Sequence, residues 1–285
     1  VQVESLAGLS GKSTVPTDTG KTDNMSVKKL RNAMIAAKLP TQSLRSVYRR
    51  ITRAPNLGSR SLNILFALEY IRQNSIRGRS KLEQVAEFGT AAGEGLRQLY
   101  ILIKYFTEMH NLEMPKVYGF DSFEGLPPSE HMADIGTWSD GDYPGSFREL
   151  QDFISSIGWE DNCTLVRGLF SETLQSNTDV NPDFLLIDCD YYTSTFDVFE
   201  SLKDRLNSGA IVYFDDLGTN HFNRNMGEER LIYEVQTGEL GAPYHLHHIY
   251  DKCYVWSNAA KPVRKSSDAR LEIKLKKTGS FDDFY

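Results

Sequence analysis

Apolar and polar positions change rhythm twice along this chain. Up to about residue 24 the sequence is rich in Ser, Thr, Gly and Lys with almost no apolar periodicity, which predicts a disordered segment. From Met25 to Ser80 the texture is helical, with Ile64, Leu65, Leu68 and Ile71 recurring on one helical face. From Lys81 short apolar runs alternate with helical stretches, the rhythm of βαβ units in a mostly parallel sheet with helices on both faces. Strands are predicted at Gln84–Phe88, Val117–Phe120, Thr164–Val166, Phe184–Ile187 and Ala210–Phe214. Between the first two, Leu96, Leu99, Tyr100, Ile103 and Phe106 mark one face of a helix. A closing antiparallel pair is predicted at His245–Tyr250 and Cys253–Trp256, turning at Asp251 and Lys252. The expected organisation is a disordered segment (1–24), a helical N-terminal extension (25–80), an α/β domain (81–257) and a polar, basic tail (258–285).

Composition narrows the picture only a little. With 285 residues, 40% hydrophobic and 25% charged, the chain can form one large α/β domain with appendages. A formal net charge of −6 argues against nucleic acid or an anionic membrane as partner. Arg45, Arg49, Arg50 and Arg53 therefore read as a solvated helical face. There is no run of about 18 apolar residues, and the stretch Val1–Asp23 lacks the apolar centre of a signal peptide. Cys163, Cys189 and Cys253 have no zinc-type spacing and read as buried reduced thiols. The cytoplasm is the expected location.

The first chemistry lies in VAEFGTAAGEG. A strand ends at Phe88, and Gly89, Gly93 and Gly95 lead into an amphipathic helix, whose free N–H groups and close backbone suit a ligand. The spacing G-x-x-x-G-x-G is not the dinucleotide G-x-G-x-x-G. A looser loop suits the methionine part and ribose of S-adenosylmethionine, although a strand–helix turn of some unrelated α/β protein fits the loop alone equally well. The next strand, KVYGFD, ends in Asp121, placed to accept hydrogen bonds from ribose hydroxyls; capping of the following turn is the simpler alternative.

The second chemistry is acidic. FLLIDCD ends a strand with Asp188 and Asp190, and AIVYFDD ends the next with Asp215 and Asp216. Neighbouring strands are about 4.8 Å apart, so these carboxylates should converge and repel unless a hard dication such as Mg²⁺ binds them. Helix capping would explain one such aspartate, but four at consecutive strand ends favour a functional cluster.

Together these residues resemble the macrocin O-methyltransferase family of class I methyltransferases, whose members methylate sugar hydroxyls. The resemblance runs from about Gln84 to Glu234 and rests on VAEFGTAAGEG, YGFDSFEGLPPSE, LVRGLFSETL, LLIDCDYYTST, AIVYFDDLG and GEERLIYE. It implies a Rossmann-like methyltransferase fold: a seven-stranded, mostly parallel sheet with an antiparallel hairpin, and S-adenosylmethionine over the glycine loop. By position it implies that Glu87, Phe88, Gly89, Thr90 and Gly93 line the cofactor. Asp121 would take the ribose, with Ser122, Gly168, Phe170 and Asp188 nearby. Asp188, Asp215 and Asp216 would hold the metal. The stretch Leu217 to Asn225, and Cys189 within the aspartate motif, depart from the family pattern.

An alcohol is a poor nucleophile at neutral pH, so a metal and a carboxylate base are the expected aids to its methylation. Asp188 is the first candidate base, Asp190 the second, and His221 would serve in a metal-free version, unless it is an ordinary loop histidine. His245, His247 and His248 have no acid or cysteine at ligand spacing and read as strand residues. Trp138, Asp142 and Tyr143, in the insertion between strands two and three, either close over an acceptor as a lid or pack as ordinary surface. The expected partner is a small-molecule methyl acceptor, with no nucleic acid and no membrane, and with room for a homodimer. A nicotinamide-dependent oxidoreductase is the competing class, disfavoured by the glycine spacing and the lack of a Tyr-x-x-x-Lys signature. A non-catalytic cofactor-binding protein is disfavoured by the intact aspartates.

Overall fold

A computed structural model of the protein describes residues 58–76, 81–136, 138–241 and 243–259. The expected disordered segment, the arginines at 45 to 53 and the tail from residue 260 lie outside these residues.

The central strands are short and apolar on both faces because both faces are covered by helices. In chain order the elements are α1 (Ser59–Ile76), β1 (Gln84–Phe88), α2 (Glu94–His110), β2 (Lys116–Asp121), α3 (Phe147–Ser156), β3 (Cys163–Arg167) and α4 (Phe170–Ser176). There follow β4 (Phe184–Ile187), α5 (Tyr192–Leu202), β5 (Ile211–Phe214), α6 (Gly227–Thr237), β6 (Tyr244–Tyr250) and β7 (Cys253–Asn258). The seven strands lie in the order β3-β2-β1-β4-β5-β7-β6. Strands β1 to β5 are parallel, and β7 runs antiparallel to both β5 and β6. The order reverses between β1 and β4, so the crevice above their carboxyl ends is where a ligand is expected in such a sheet.

Period-two alternation divides the core. Val85, Phe184, Leu186, Ile211 and Tyr213 face one way, against α1 and α2. Ala86, Phe88, Leu185, Ile187, Val212 and Phe214 face the other, against α5 and α6. In α2 the apolar positions Leu96, Leu99, Ile103 and Phe106 are fully buried, and Asn111, with φ 51°, ends the helix.

Helix α1 differs from the expected appendage. Besides Ile64, Leu65, Leu68 and Ile71, Phe66 and Ala67 are buried, and all belong to the same core as Val85 and Tyr213. Its buried Glu69 accepts two hydrogen bonds from Arg72 and one from Gln73, each at 2.8 Å, so the charge is paired. Asn63 Nδ2 donates to Asp251 Oδ2 at 2.8 Å and ties the helix to the β6–β7 turn. Ile64→Val should therefore lower global stability by about 0.5–1.5 kcal/mol. Urea unfolding would read this as a lower midpoint at unchanged slope; an unchanged midpoint would mean that α1 is not part of the cooperative core.

Candidate active site

Strand register delivers the expected residues to one level. Phe88 pairs with Phe120 on one side and Ile187 on the other, and Ile187 pairs with Phe214. The next residues, Gly89, Asp121, Asp188 and Asp215, therefore leave the sheet side by side. In the loop after β1, the Gly89 N–H donates to Phe120 O at 3.0 Å and the Gly93 N–H to Thr90 O at 2.7 Å. The Ala91 N–H donates to Asp121 Oδ2 at 2.8 Å, and the Phe123 N–H to Asp121 Oδ1 at 2.5 Å. Burial pushes the Asp121 carboxyl above its usual pKa, and these backbone donors pull against that. Each oxygen keeps acceptor capacity for a ligand.

A cavity of about 400 Å³ opens above this edge, a size that suits a small organic ligand. Gly89, Thr90, Asp121 and Ser122 line one end, with Leu126, Leu169 and Phe170 as apolar wall. Asp188, Asp190, Asp215 and Asp216 line the other. The insertion carrying Trp138, Asp142 and Tyr143 also borders it. It is anchored twice. A Cβ on Gly145 would sit 2.2 Å from Ala91 O, so the insertion lies directly on the glycine loop. Asp134 accepts from Ser129 Oγ and Thr193 Oγ1, each at 2.6 Å, which fixes the insertion to the start of α5.

The aspartate end is held by a residue from α1. Arg60 Nε donates to Asp215 Oδ1 at 3.0 Å, Nη2 donates to Asp215 Oδ2, and Nη2 also lies 2.7 Å from Asp188 Oδ2. Tyr213 OH donates to Asp215 Oδ1, and Lys252 Nζ to the Asp215 carbonyl. Burial opposes ionisation of Asp215, but the Arg60 hydrogen bond and charge outweigh it and hold its pKa below the usual value. The others go the other way. Burial, then the neighbouring carboxylates, push Asp190 up to about 8 and Asp216 to about 6. Burial takes Asp188 to about 7 although Arg60 opposes it. Asp190, at φ 61°, shares a hydrogen bond with Asp216. One ligand oxygen each from Asp188, Asp215 and Asp216 lies within 4.8 Å of the others.

Of the residues expected to line the cofactor, Gly89, Thr90, Asp121, Ser122, Gly168, Phe170 and Asp188 border the cavity. Three do not. Glu87 is fully buried beneath the loop, against Gly95. Phe88 is buried on the opposite face, stacked on Phe120 and edge-on to Phe170, so it supports the wall from behind. Gly93 caps α2 at φ 84°. His221 is exposed in the turn after β5, outside the cavity lining. His247 Nε2 lies 2.9 Å from Ser257 Oγ and His248 Nε2 lies 2.8 Å from Asp251 O, both within the β6–β7 hairpin. The sequence reading missed Arg60, Tyr213, Lys252 and the buried Glu228, whose Oε2 accepts from the Asp216 N–H at 3.0 Å. Glu228 lies in the GEERLIYE segment, where an acid inside an otherwise amphipathic helix was the available signal.

A seven-stranded sheet of this order, with a glycine loop after β1, an acid after β2 and one antiparallel strand between β5 and β6, defines the Rossmann-like methyltransferase class. The macrocin-O-methyltransferase (TylF) family model matches residues 58–235, and the chain belongs to that family. The match takes in α1, ahead of the segment on which the resemblance was read. Two solved structures share the fold. The calicheamicin methyltransferase CalS11 is 18% identical, with TM-score 0.52 over 90% of this chain and 99% of its own. The O-methyltransferase NovP is 20% identical, with TM-score 0.50 over 70% and 79%. A curated relative, increased recombination centers protein 6 of Clavispora lusitaniae (strain ATCC 42720), is 25% identical over 162 residues, 53% of this chain. The match spans 59% of that relative's length. Among the described residues, no helix is long and apolar enough to cross a membrane.

Proposed function

We propose that this protein transfers the methyl group of S-adenosylmethionine to a hydroxyl oxygen of a small molecule, with a sugar as the acceptor class. The observation that carries this reading is the single cavity with Asp121 and the glycine loop at one end and the aspartate cluster at the other. Such a site can hold a nucleoside sulfonium and a hydroxyl in line, and holding them so removes much of the entropic barrier. S-adenosylmethionine, when bound, supplies the electrophilic methyl group. Asp121 accepts from the ribose hydroxyls, while Leu169 and Phe170 offer apolar surface to the adenine. Asp188 or Asp190 takes the proton of the acceptor hydroxyl; the values near 7 and 8 suit a base working close to neutral pH. Trp138 and Tyr143 cover the acceptor side and exclude water.

The donor set of Asp188, Asp215 and Asp216 fits a hard dication such as Mg²⁺, which prefers carboxylate oxygens. When bound there, such an ion would lower the pKa of the acceptor hydroxyl.

Calorimetry with S-adenosylhomocysteine tests the proposal. The wild type is expected to bind it and to melt higher in its presence, whereas NAD and NADP give no heat. Asp121→Ala should weaken binding by about 1.5 kcal/mol, somewhat over tenfold. A wild type that does not bind S-adenosylhomocysteine would overturn the reading.

A further inference from the structure

Three carboxylates at adjacent strand ends need a counter-charge, and this chain supplies one of its own. Arg60 stands 155 positions before Asp215 in sequence, yet its guanidinium forks onto both Asp215 oxygens and reaches Asp188 Oδ2 at 2.7 Å. These are two of the three side chains that could share an ion. The arginine is not a loose surface cation, since its side chain is 25% exposed. The helix that carries it is fastened by Asn63 to Asp251 and, through the Cys253 thiol, to the floor of β7. A guanidinium has no lone pair for a metal and carries the same sign of charge. It cannot share Asp188 and Asp215 with a dication.

We propose that Arg60 is the cation that occupies the Asp188–Asp215 pair, and that a divalent ion enters only by displacing its guanidinium from these two carboxylates. The proposal rests on the reading of these aspartates as a metal-binding group. Asp216, which no arginine holds among the described contacts, is then the carboxylate an incoming ion meets first, and α1 sets how tightly the ion is held. If Arg60 instead only staples α1 to the sheet, its removal would lower stability and leave metal affinity unchanged or weaker. The two roles predict opposite signs.

The test is Mn²⁺ binding to the full chain, followed by electron paramagnetic resonance of the free ion, in wild type, Arg60→Gln and Arg60→Lys. Arg60→Gln is expected to bind Mn²⁺ at least tenfold more tightly than wild type, and to gain more in melting temperature on adding it. Arg60→Lys should fall between them, because lysine keeps the charge but loses the fork. Should Arg60→Gln fail to fold, a severalfold gain in Arg60→Lys would sustain the proposal and an unchanged affinity would overturn it. Equal or weaker binding by Arg60→Gln, or no binding by any form, would also overturn it. S-adenosylhomocysteine calorimetry on the same samples keeps the outcomes apart: intact binding with unaltered Mn²⁺ affinity sinks only the role of Arg60, whereas its loss in the wild type sinks the methyltransferase reading.

Discussion

Gly89→Ala is expected to unfold the catalytic edge of the sheet, with a loss above about 4 kcal/mol, at the exceptional end for a single substitution. A methyl group there would lie 1.7 Å from the Asp188 carbonyl oxygen and 2.6 Å from its carbon. Both are backbone atoms held by the β1–β4 ladder, where the Asp188 N–H donates to Phe88 O at 2.9 Å, so neither can turn aside. The backbone at Gly89 also sits at φ 93°, which L side chains rarely adopt. Gly238→Ala is the control. It too has positive φ, 81°, as the C-terminal cap of α6, but a methyl group there meets nothing within 4 Å. It should cost only the left-handed penalty of about 1–2 kcal/mol. Circular dichroism melts of the two variants check the contrast; equal melting temperatures would show that the close approach of β1 and β4 does not matter.

That contrast shows where sequence reading of the loop was right about place and incomplete about cause. The glycines were legible as a strand-to-helix turn, and each has a protein neighbour as its first constraint. Gly89 makes room for the end of β4, Gly95 for the Glu87 carboxylate, whose Oε1 would lie 1.9 Å from a Cβ there, and Gly93 for the Leu150 side chain. The strands were legible because period-two runs bounded by turn residues leave little choice, and β1, β4 and β5 fall within a residue of expectation. Asp188, Asp190, Asp215 and Asp216 followed from those strand ends. Arg60 did not. A single arginine in a helical stretch carries no mark of the carboxylate it will meet, and that meeting depends on how α1 docks against β5 and the β6–β7 turn. Glu228 was partly legible, as an acid inside an amphipathic helix, but its partner, the Asp216 N–H, was not. For His221 the sequence left two readings, a base near Asp216 or an ordinary loop histidine, and the structure places the residue exposed in the turn after β5.

Asp190→Asn is expected to change the pH dependence of stability more than any other single change in the cluster. Burial first, and then the charges of Asp216 and Asp188, push the Asp190 pKa from 3.8 up to about 8. Its proton is the natural bridge to Asp216, and an asparagine amide can donate in its place. The sign follows from linkage. A group whose folded pKa is raised contributes stability that is fully present below its unfolded value and is lost as pH rises through the folded value. For Asp190 the window runs from about pH 4 to about pH 8. Four units at about 1.4 kcal/mol each would be the ceiling; the side chain lies partly open in the cavity, and halving for solvent screening leaves about 3 kcal/mol. Arg60 faces the same cluster and stays charged, while Asp188 and Asp216 titrate in the same window, so the difference between wild type and variant reports the Asp190 carboxyl together with its coupling to those two. Urea unfolding at pH 4.5 should find the two proteins similar, and at pH 8.5 the variant should be the more stable by about that amount. A divalent ion added at pH 8.5 should narrow the gap, because it relieves the same repulsion in the wild type. Parallel stability curves across the window would mean that Asp190 titrates in the folded protein as it does in the unfolded chain.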